Sequence, residues 1–426
     1  MFRIYDQVYL PSVEYSGFEP QLSEEERAVQ GTVHKLAKEA IRPLGRALDR
    51  MTAEQVVAPG SPYWDFFAQA GQLGLGPEEL SGLDPVAAMR LEALIAEELG
   101  WGDAGLAVSL GAGSIALIAA LSSGNQELIE MVRGRIGCWI ITQPDRGSDA
   151  TRLYADQCIA GDKGNKGNLT AKVTADEIII NGQCSAWVSN GASAQVALMY
   201  IAADYGKGFF PDGPMPTGIG VIVPLDRPGV TRGKPLEKIG QRALPQGEIF
   251  FDNVKVPRRF AVAEGDGFYP GFAASWSFAG TFMGNVFGGV ARAAFEMALA
   301  YAHERKQGGA LLAEHQLVQY RLGEMARTVE LIRSVARRTA EFARLAKHSH
   351  PFVTAQGKVT CTNEAFRVVN EAFQMFGGNG TTLEYPIEKL LRDTRVALIE
   401  DGDNYVLTTH LGNLVCRLYR EGWTRD

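Results

Sequence analysis

The chain has 426 residues, 46% hydrophobic and 21% charged, a balance that excludes long disordered stretches and, at this length, a single core. A formal net charge of -7 excludes the basic footprint of a nucleic-acid binder. Two or three domains are therefore expected, with no nucleic acid among the partners.

Five cysteines (Cys138, Cys158, Cys184, Cys361 and Cys416) are scattered without CxxC or Cys/His spacing, which reads as reduced thiols. The first residues, MFRIYDQVYLPSVEYS, mix acids with apolar residues and carry no cleavage-type signal, so a cytoplasmic location is expected. Ser23 with Glu26 forms a capping-box signature, and Val33, Leu36, Ala37, Ala40, Ile41, Leu44 and Leu48 follow at helical spacing. Further helices are expected over 86–99 and 106–122.

The period then changes. GCWIITQP, KVTADEIIINGQ, SAQVALMYIAA, GIGVIVPL and GEIFFDNVKVP are short β-branched runs set off by Gly, Pro, Asn and Asp, with Asn181-Gly182 as a hairpin signal. An antiparallel β domain is expected, with 204–218 as a long loop.

From 268 onward the helical period returns. Residues 267–291 lack charge and are long enough to span a bilayer, but they carry six glycines, Pro270, Asn285 and Trp276, and neither Leu nor Ile. The reading is a helix buried in protein. Gly280, Gly284 and Gly288 clear one face of it for a second backbone or a ligand. Leu322, Met325, Val329, Ile332, Ala336 and Thr339 trace a long helix whose arginines are expected on a solvated face. A helix over 364–376 stops at Gly377-Gly378. The layout is α+β: a helical domain over 1–137, a β domain over 138–257 and a helical bundle over 258–426.

One short stretch raises a chemical question. IEDGDNYV at 399–406 sets Glu400, Asp401 and Asp403 around a glycine. They could serve as a catalytic base, a helix cap or a solvated turn; no further ligands extend the D-x-D spacing, so no metal is expected.

Several motifs answer it by resemblance. ITQPDRGSD at 141–149 is similar to T-E-P-x-A-G-S-D of the acyl-CoA dehydrogenase family, and AWVSNG at 186–191 to its W-[IV]-[ST]-N-G. EKIGQRA at 237–243 resembles its K-x-G-x-R, ERKQGGALLAEHQ at 304–316 its E-R-x-x-F-G-x-x-[IL]-x-x-x-Q, and QMFGGNGTTLEYPIEKLLRD at 374–393 its Q-x-x-G-G-x-G segment through R-D. The resemblance covers nearly the whole chain. It implies the family fold, an α-helical N-terminal domain, a central antiparallel β domain and a C-terminal four-helix bundle, and FAD as cofactor. Ile141, Thr142, Gly147 and Ser148 would meet the flavin and its phosphates. Hydroxyls and a glycine suit that role, although they also make an ordinary turn. Trp187 and Ser189 would lie beside the flavin ring. Arg305, Gln316, Gln374, Gly377 and Gly378 would reach the FAD of a neighbouring subunit, which implies a homodimer or homotetramer.

The implied reaction is α,β-dehydrogenation of an acyl-CoA thioester, with electrons passed to electron-transfer flavoprotein. The family base, Glu of E-G-T, aligns with Asp401, the Gly with Gly402 and the Thr with Asp403. Aspartate is one methylene shorter and reaches roughly 1.5 Å less far. This departure resembles the cyclohexane- and cyclohexenecarboxyl-CoA dehydrogenases and favours a cyclic, branched or bulky acyl group. Nitroalkane oxidases share it, so a flavin oxidase or monooxygenase acting on a non-CoA substrate is the alternative; a flavin-free binding protein on the same fold is another. Asp403 falls at a cofactor position of the family, but its charge opposes phosphate and suits a helix cap. Glu400 reads as a solvated flank that a one-residue loop shift would turn into the base. No arginine stands near Gly280, where the family often has one, and Gly308 replaces the aromatic of R-x-x-F-G. With the glycine-lined face, these departures suggest a roomy acyl cavity.

Overall fold

A computed structural model of the chain describes residues 22–74, 76–151, 165–213, 215–346 and 351–422. The N-terminal reading and Cys158 lie outside the described residues.

The N-terminal part is helical, as the periodicity requires. In α1 (Glu24–Leu36) the Ser23 hydroxyl accepts from the Glu26 N–H, and the Glu26 carboxylate accepts from the Ser23 N–H, which completes the capping box. The helix runs on through a π turn at Ala37–Ile41 into Arg42–Asp49, where Pro43 has no N–H to offer the preceding turn. α2 (Pro85–Gly102) and α3 (Ala104–Ser123) are capped by the carboxylates of Asp84 and Asp103. α3 is apolar and long enough to cross a bilayer, but its apolar stretch is 56% buried inside the protein, where it packs on the first strand and α2.

Among the described residues, eight strands form one mixed sheet: β1 (Gly137–Ile140), β2 (Thr170–Val173), β3 (Glu177–Gln183), β4 (Val196–Asp204), β5 (Gly218–Pro224), β6 (Val230–Arg232), β7 (Ile249–Pro257) and β8 (Ala261–Glu264). The order is β6-β7-β3-β2-β4-β5-β8, and β1 also pairs with β4. Most ladders are antiparallel, as expected, but β1 and β2 both run parallel to β4, which they share end to end. Asn181-Gly182 is not a hairpin turn. It lies inside β3 as a bulge against β7; Gly182 has φ of 116°, and the Asn181 side chain accepts from the Asn253 N–H. The hairpin closes earlier, at 174–176, where the Thr174 hydroxyl holds Glu177.

The C-terminal part comprises α4 (Phe268–Glu304), α5 (Gln316–Leu345), α6 (Pro351–Phe376), α7 (Ile387–Ala397) and α8 (Asn404–Arg420). α4 is the central helix, packed by α2, α5 and α6; the uncharged stretch is buried continuously over 283–291, while its first turns stay partly exposed, with Pro270 and Ala274 at the surface. Phe287, Val290, Ile332 and Val369 are fully buried there, and burial of each such side chain contributes roughly 1.5–3 kcal/mol.

Two expectations are corrected in this bundle. Gly280, Gly284 and Gly288 line no cavity: a Cβ on them would meet the Thr354 backbone, the Cys361 sulfur and the Ile332 side chain, so the glycine face serves helix packing against α5 and α6. The arginines of α5 are not all solvated. Arg333 and Arg337 turn inward onto Glu97 of α2, because that buried carboxylate needs cationic partners.

Candidate active site

The loop between α7 and α8 turns sharply, and Asp401 takes φ of 51°, a left-handed conformation that Asp and Asn tolerate better than most residues. Asp403 ends the loop. Its Oδ1 accepts from the Tyr405 and Val406 amides at 2.9 and 3.2 Å, so it caps α8 as its residue type suggested. The Asp403 amide in turn donates to Ser148 Oγ at 2.8 Å. That bond joins the acidic loop to the turn after β1.

Lys358 of α6 supports the loop from inside the bundle. Fully buried, its Nζ donates to the Gly402 carbonyl at 2.9 Å and to Asn404 Oδ1 at 2.8 Å. Burial lowers its pKa to about 8, against the pull of Asp401, Glu400 and Asp403. The Asp401 carboxyl is pushed above the usual aspartate range by burial, with Lys358 pulling the other way.

Glu400 is not a solvated flank. Part of the residue stays exposed, but its carboxyl lies deep and accepts from the Gln241 side-chain amide. Burial raises its pKa to about 7, reinforced by Asp401 and opposed by Gln241, Lys238 and Lys358. The cause is local backbone geometry. Gln241 has φ of 48°, which directs its amide N–H at Asp393 Oδ1 and its side chain at Glu400. Asp393 also accepts from Lys389 at 2.6 Å, and Lys389 reaches Asp103 at 2.6 Å. Elements from the helical, β and bundle regions thus converge under one loop. Lys238, its pKa lowered to about 8 by burial, donates to the Leu244 carbonyl and Gln246 Oε1 beside them.

On the β side, the Thr142 and Ser185 hydroxyls are 2.6 Å apart, and Ile141 is half-buried next to them. Trp187 stands out from its turn at 66% exposure. Ser189 is half-buried and bridges backbone to backbone with Gln246. An exposed indole near a hydroxyl pair fits a planar ring with polar edges, as a flavin has. Gly147 fits less well as an anion contact, since its amide already donates to Asp149 Oδ1 at 2.7 Å.

The remaining candidates form a second group. Arg305, Gln316, Gln374, Gly377 and Gly378 are all exposed at one end of the bundle. Tyr301 stacks on Phe376 at 4.1 Å and its hydroxyl accepts from Asn379, and the Arg305 backbone carbonyl accepts from the Leu312 amide, so the segments carrying these residues adjoin. None of the five is hydrogen-bonded to Asp401, Ser148 or Trp187 among the described residues. Gly308, at the position of the missing aromatic, faces the His315 ring.

Sequence reasoning missed Lys358, Gln241 and Lys238. For Lys358 a signal existed: it is the one charged residue in 351–363. Gln241 gave none, because nothing in its residue type announces a left-handed backbone.

Comparison with known proteins gives a consistent result along the chain. The acyl-CoA dehydrogenase N-terminal domain matches residues 23–132, the middle domain 138–254 and the C-terminal domain 281–415. The Bacillus subtilis protein named "Probable acyl-CoA dehydrogenase YngJ" is 30% identical over 91% of this chain and 96% of its own length. Glutaryl-CoA dehydrogenase from Mycobacterium smegmatis superposes with a TM-score of 0.78 at 24% identity, covering 95% of this chain and 98% of that one. A glutaryl-CoA dehydrogenase of the same organism in complex with FADH2 gives 0.76 at 23% identity, covering 93% and 96%. At these identities the two structures speak to the fold.

Proposed function

Because this chain belongs to the acyl-CoA dehydrogenase family, we propose that it dehydrogenates the Cα–Cβ bond of an acyl-CoA thioester, with Asp401 as the base. The observation that carries the reading is the bond from the Asp403 amide to Ser148, which ties the loop of the half-buried Asp401, its pKa raised, to the turn expected to meet the flavin. Ile141, Thr142, Ser148, Trp187 and Ser189 would hold FAD within the subunit. Arg305, Gln316, Gln374, Gly377 and Gly378 would reach the cofactor of a second copy. Leu317 and Tyr320, 64% and 66% exposed beside Gln316, suit such a subunit contact, in a dimer or in the tetramer typical of the family.

Bound FAD supplies a hydride acceptor at the β-carbon. The chain's own residues set up proton removal at the α-carbon. Asp401 accepts that proton, and the raised pKa of its carboxyl brings it closer to working pH. Lys358 fixes the Gly402 carbonyl and so the direction in which the short side chain points. Glu400, held by Gln241, keeps its proton up to about pH 7 and spares the site a second negative charge. The short reach of aspartate supports a cyclic or branched acyl group; the glycine face of α4 no longer does. Electron-transfer flavoprotein is the proposed acceptor and the cytoplasm the proposed location.

The test is anaerobic titration of the purified flavoprotein with linear, branched and cyclic acyl-CoAs, following the flavin absorbance. Bleaching by a thioester is expected. If none of them bleaches it, the reading fails.

A further inference from the structure

A cavity opens beside the same turn, between the sheet and the start of α4. Its lining includes the aromatic Tyr200, Phe268, Tyr269 and Phe272 together with 215–217 of the long β4–β5 loop. Arg146 projects into its lining. The backbone under it is fixed, because Gln143 and Arg146 exchange both amide hydrogen bonds, at 2.8 and 3.0 Å. Other polar side chains of the lining are engaged: Gln143 accepts from the Leu169 amide, Tyr200 shares a hydrogen with Ser275, and Thr217 donates to the Ala203 carbonyl. Arg146 differs. Its Nε is buried without a hydrogen-bond partner, and among the described residues no carboxylate pairs with it.

A buried guanidinium nitrogen left without an acceptor is costly. The group also presents a fork of donors matched to paired anionic oxygens, and charge-assisted bonds of this kind are among the stronger ones. The motif this stretch resembles, T-E-P-x-A-G-S-D, has alanine at this position. Ile141, expected to meet the flavin, lines the same cavity, so an anion held here would belong to a molecule that also reaches the flavin site.

We propose that Arg146 binds an anionic oxygen group of the thioester substrate, either a phosphate of its carrier or a carboxylate of its acyl chain. This rests on the thioester reading above. Arg146 then positions the substrate without touching the reacting atoms.

The test compares the holoprotein with Arg146→Ala and Arg146→Lys by calorimetry, using non-reacting ligands: CoA, phosphate-free pantetheine, and thioether analogues of a dicarboxylic and a monocarboxylic acyl-CoA of equal chain length. Loss of one charge-assisted bond weakens binding about 10- to 100-fold. Arg146→Ala is expected to show that loss only for ligands carrying the recognised anion, with partial recovery in Arg146→Lys. A loss for CoA but not pantetheine identifies the phosphate; a loss confined to the dicarboxylic analogue identifies the carboxylate. Equal weakening for all four ligands, unchanged binding, or no binding by either protein overturns the proposal. Binding is read without turnover, so a failure of every thioester to bleach the flavin would end the dehydrogenase reading and leave the Arg146 result standing.

Discussion

Two buried sets of charge in this molecule use the same kinds of residue to opposite effect. Between α2, α4 and α5, Glu97 accepts from Arg292 at 2.6 Å, Arg333 at 2.9 Å and Arg337 at 2.7 Å, while Glu98 pairs with Arg292 and His34. Burial opposes ionisation of Glu97, yet the three arginines together draw its pKa down to about 2. Around the α7–α8 loop, Lys358 is as deeply buried and Lys238 half-buried, but they spend their hydrogens on carbonyl and amide oxygens. Among the described residues no cation is hydrogen-bonded to Asp401 or Glu400, and the pKa values of both go up. At Glu97 three arginines donate directly and outweigh burial, whereas at Asp401 and Glu400 burial wins because the nearby lysines point their hydrogens elsewhere.

The comparison breaks if the two sets can exchange roles. Asp401→Asn should lower the rate of flavin reduction by about 10²- to 10⁴-fold, the usual worth of a positioned general base, while ligand still binds. Stopped-flow reduction under anaerobic conditions measures it, and a near-normal rate would remove Asp401 from the chemistry. Glu97→Gln should instead act on stability. Removing one partner of a buried ion pair costs roughly 3–5 kcal/mol, readable by denaturant unfolding. The contribution of Glu97 is fully present above its ordinary pKa of 4.5 and fades as pH falls through about 2, so the gap between variant and parent should narrow in strong acid. A gap that stays constant down to pH 2 would argue against the arginine clamp.

How far this division was legible in the sequence depends on what kind of signal each residue emits. Local signals were readable: Ser23 with Glu26, Asp403 as a cap and the glycine stop at Gly377 each act within a few residues of chain. The three-part fold was readable from the change in period and from motif order. Partners far apart in sequence were not. An arginine on a helical stripe looks the same whether its head meets water or Glu97, 236 residues away. Asn181-Gly182 looks the same as a turn or as a bulge, because both need a left-handed residue, and the choice is made by β7. The burial of Glu400 depends on Gln241, 159 residues earlier.

Smaller substitutions sharpen the contrast inside the loop itself. Lys358→Met keeps side-chain length but removes the charge and the bond to Gly402. Displacement of the base by about 1 Å can cost about 100-fold in rate, so a loss of roughly 10- to 100-fold is expected. Because Lys358 pulls the Asp401 pKa down, its removal should also move the acid limb of the kcat/KM profile to higher pH. A merely destabilised protein would lose activity without that shift.

Glu400→Gln should have the mildest effect, and its sign is informative. In the folded protein Glu400 titrates at about 7, against an ordinary 4.5. Between those values the folded state holds a proton that the unfolded state has lost, so stability falls as pH rises from 4.5 to 7 and stays lower above it. The amide carries no such penalty. Since the residue is partly exposed, water screens much of it, and a gain of about 1 kcal/mol at pH 8 is expected in unfolding experiments. Flavin reduction should stay within a few-fold of the parent, because the amide still bonds Gln241 and Asp401 still takes the proton. Should Glu400→Gln abolish reduction while Asp401→Asn spares it, the proton goes to the longer side chain. The left-handed turn at Asp401 would then serve to present Glu400.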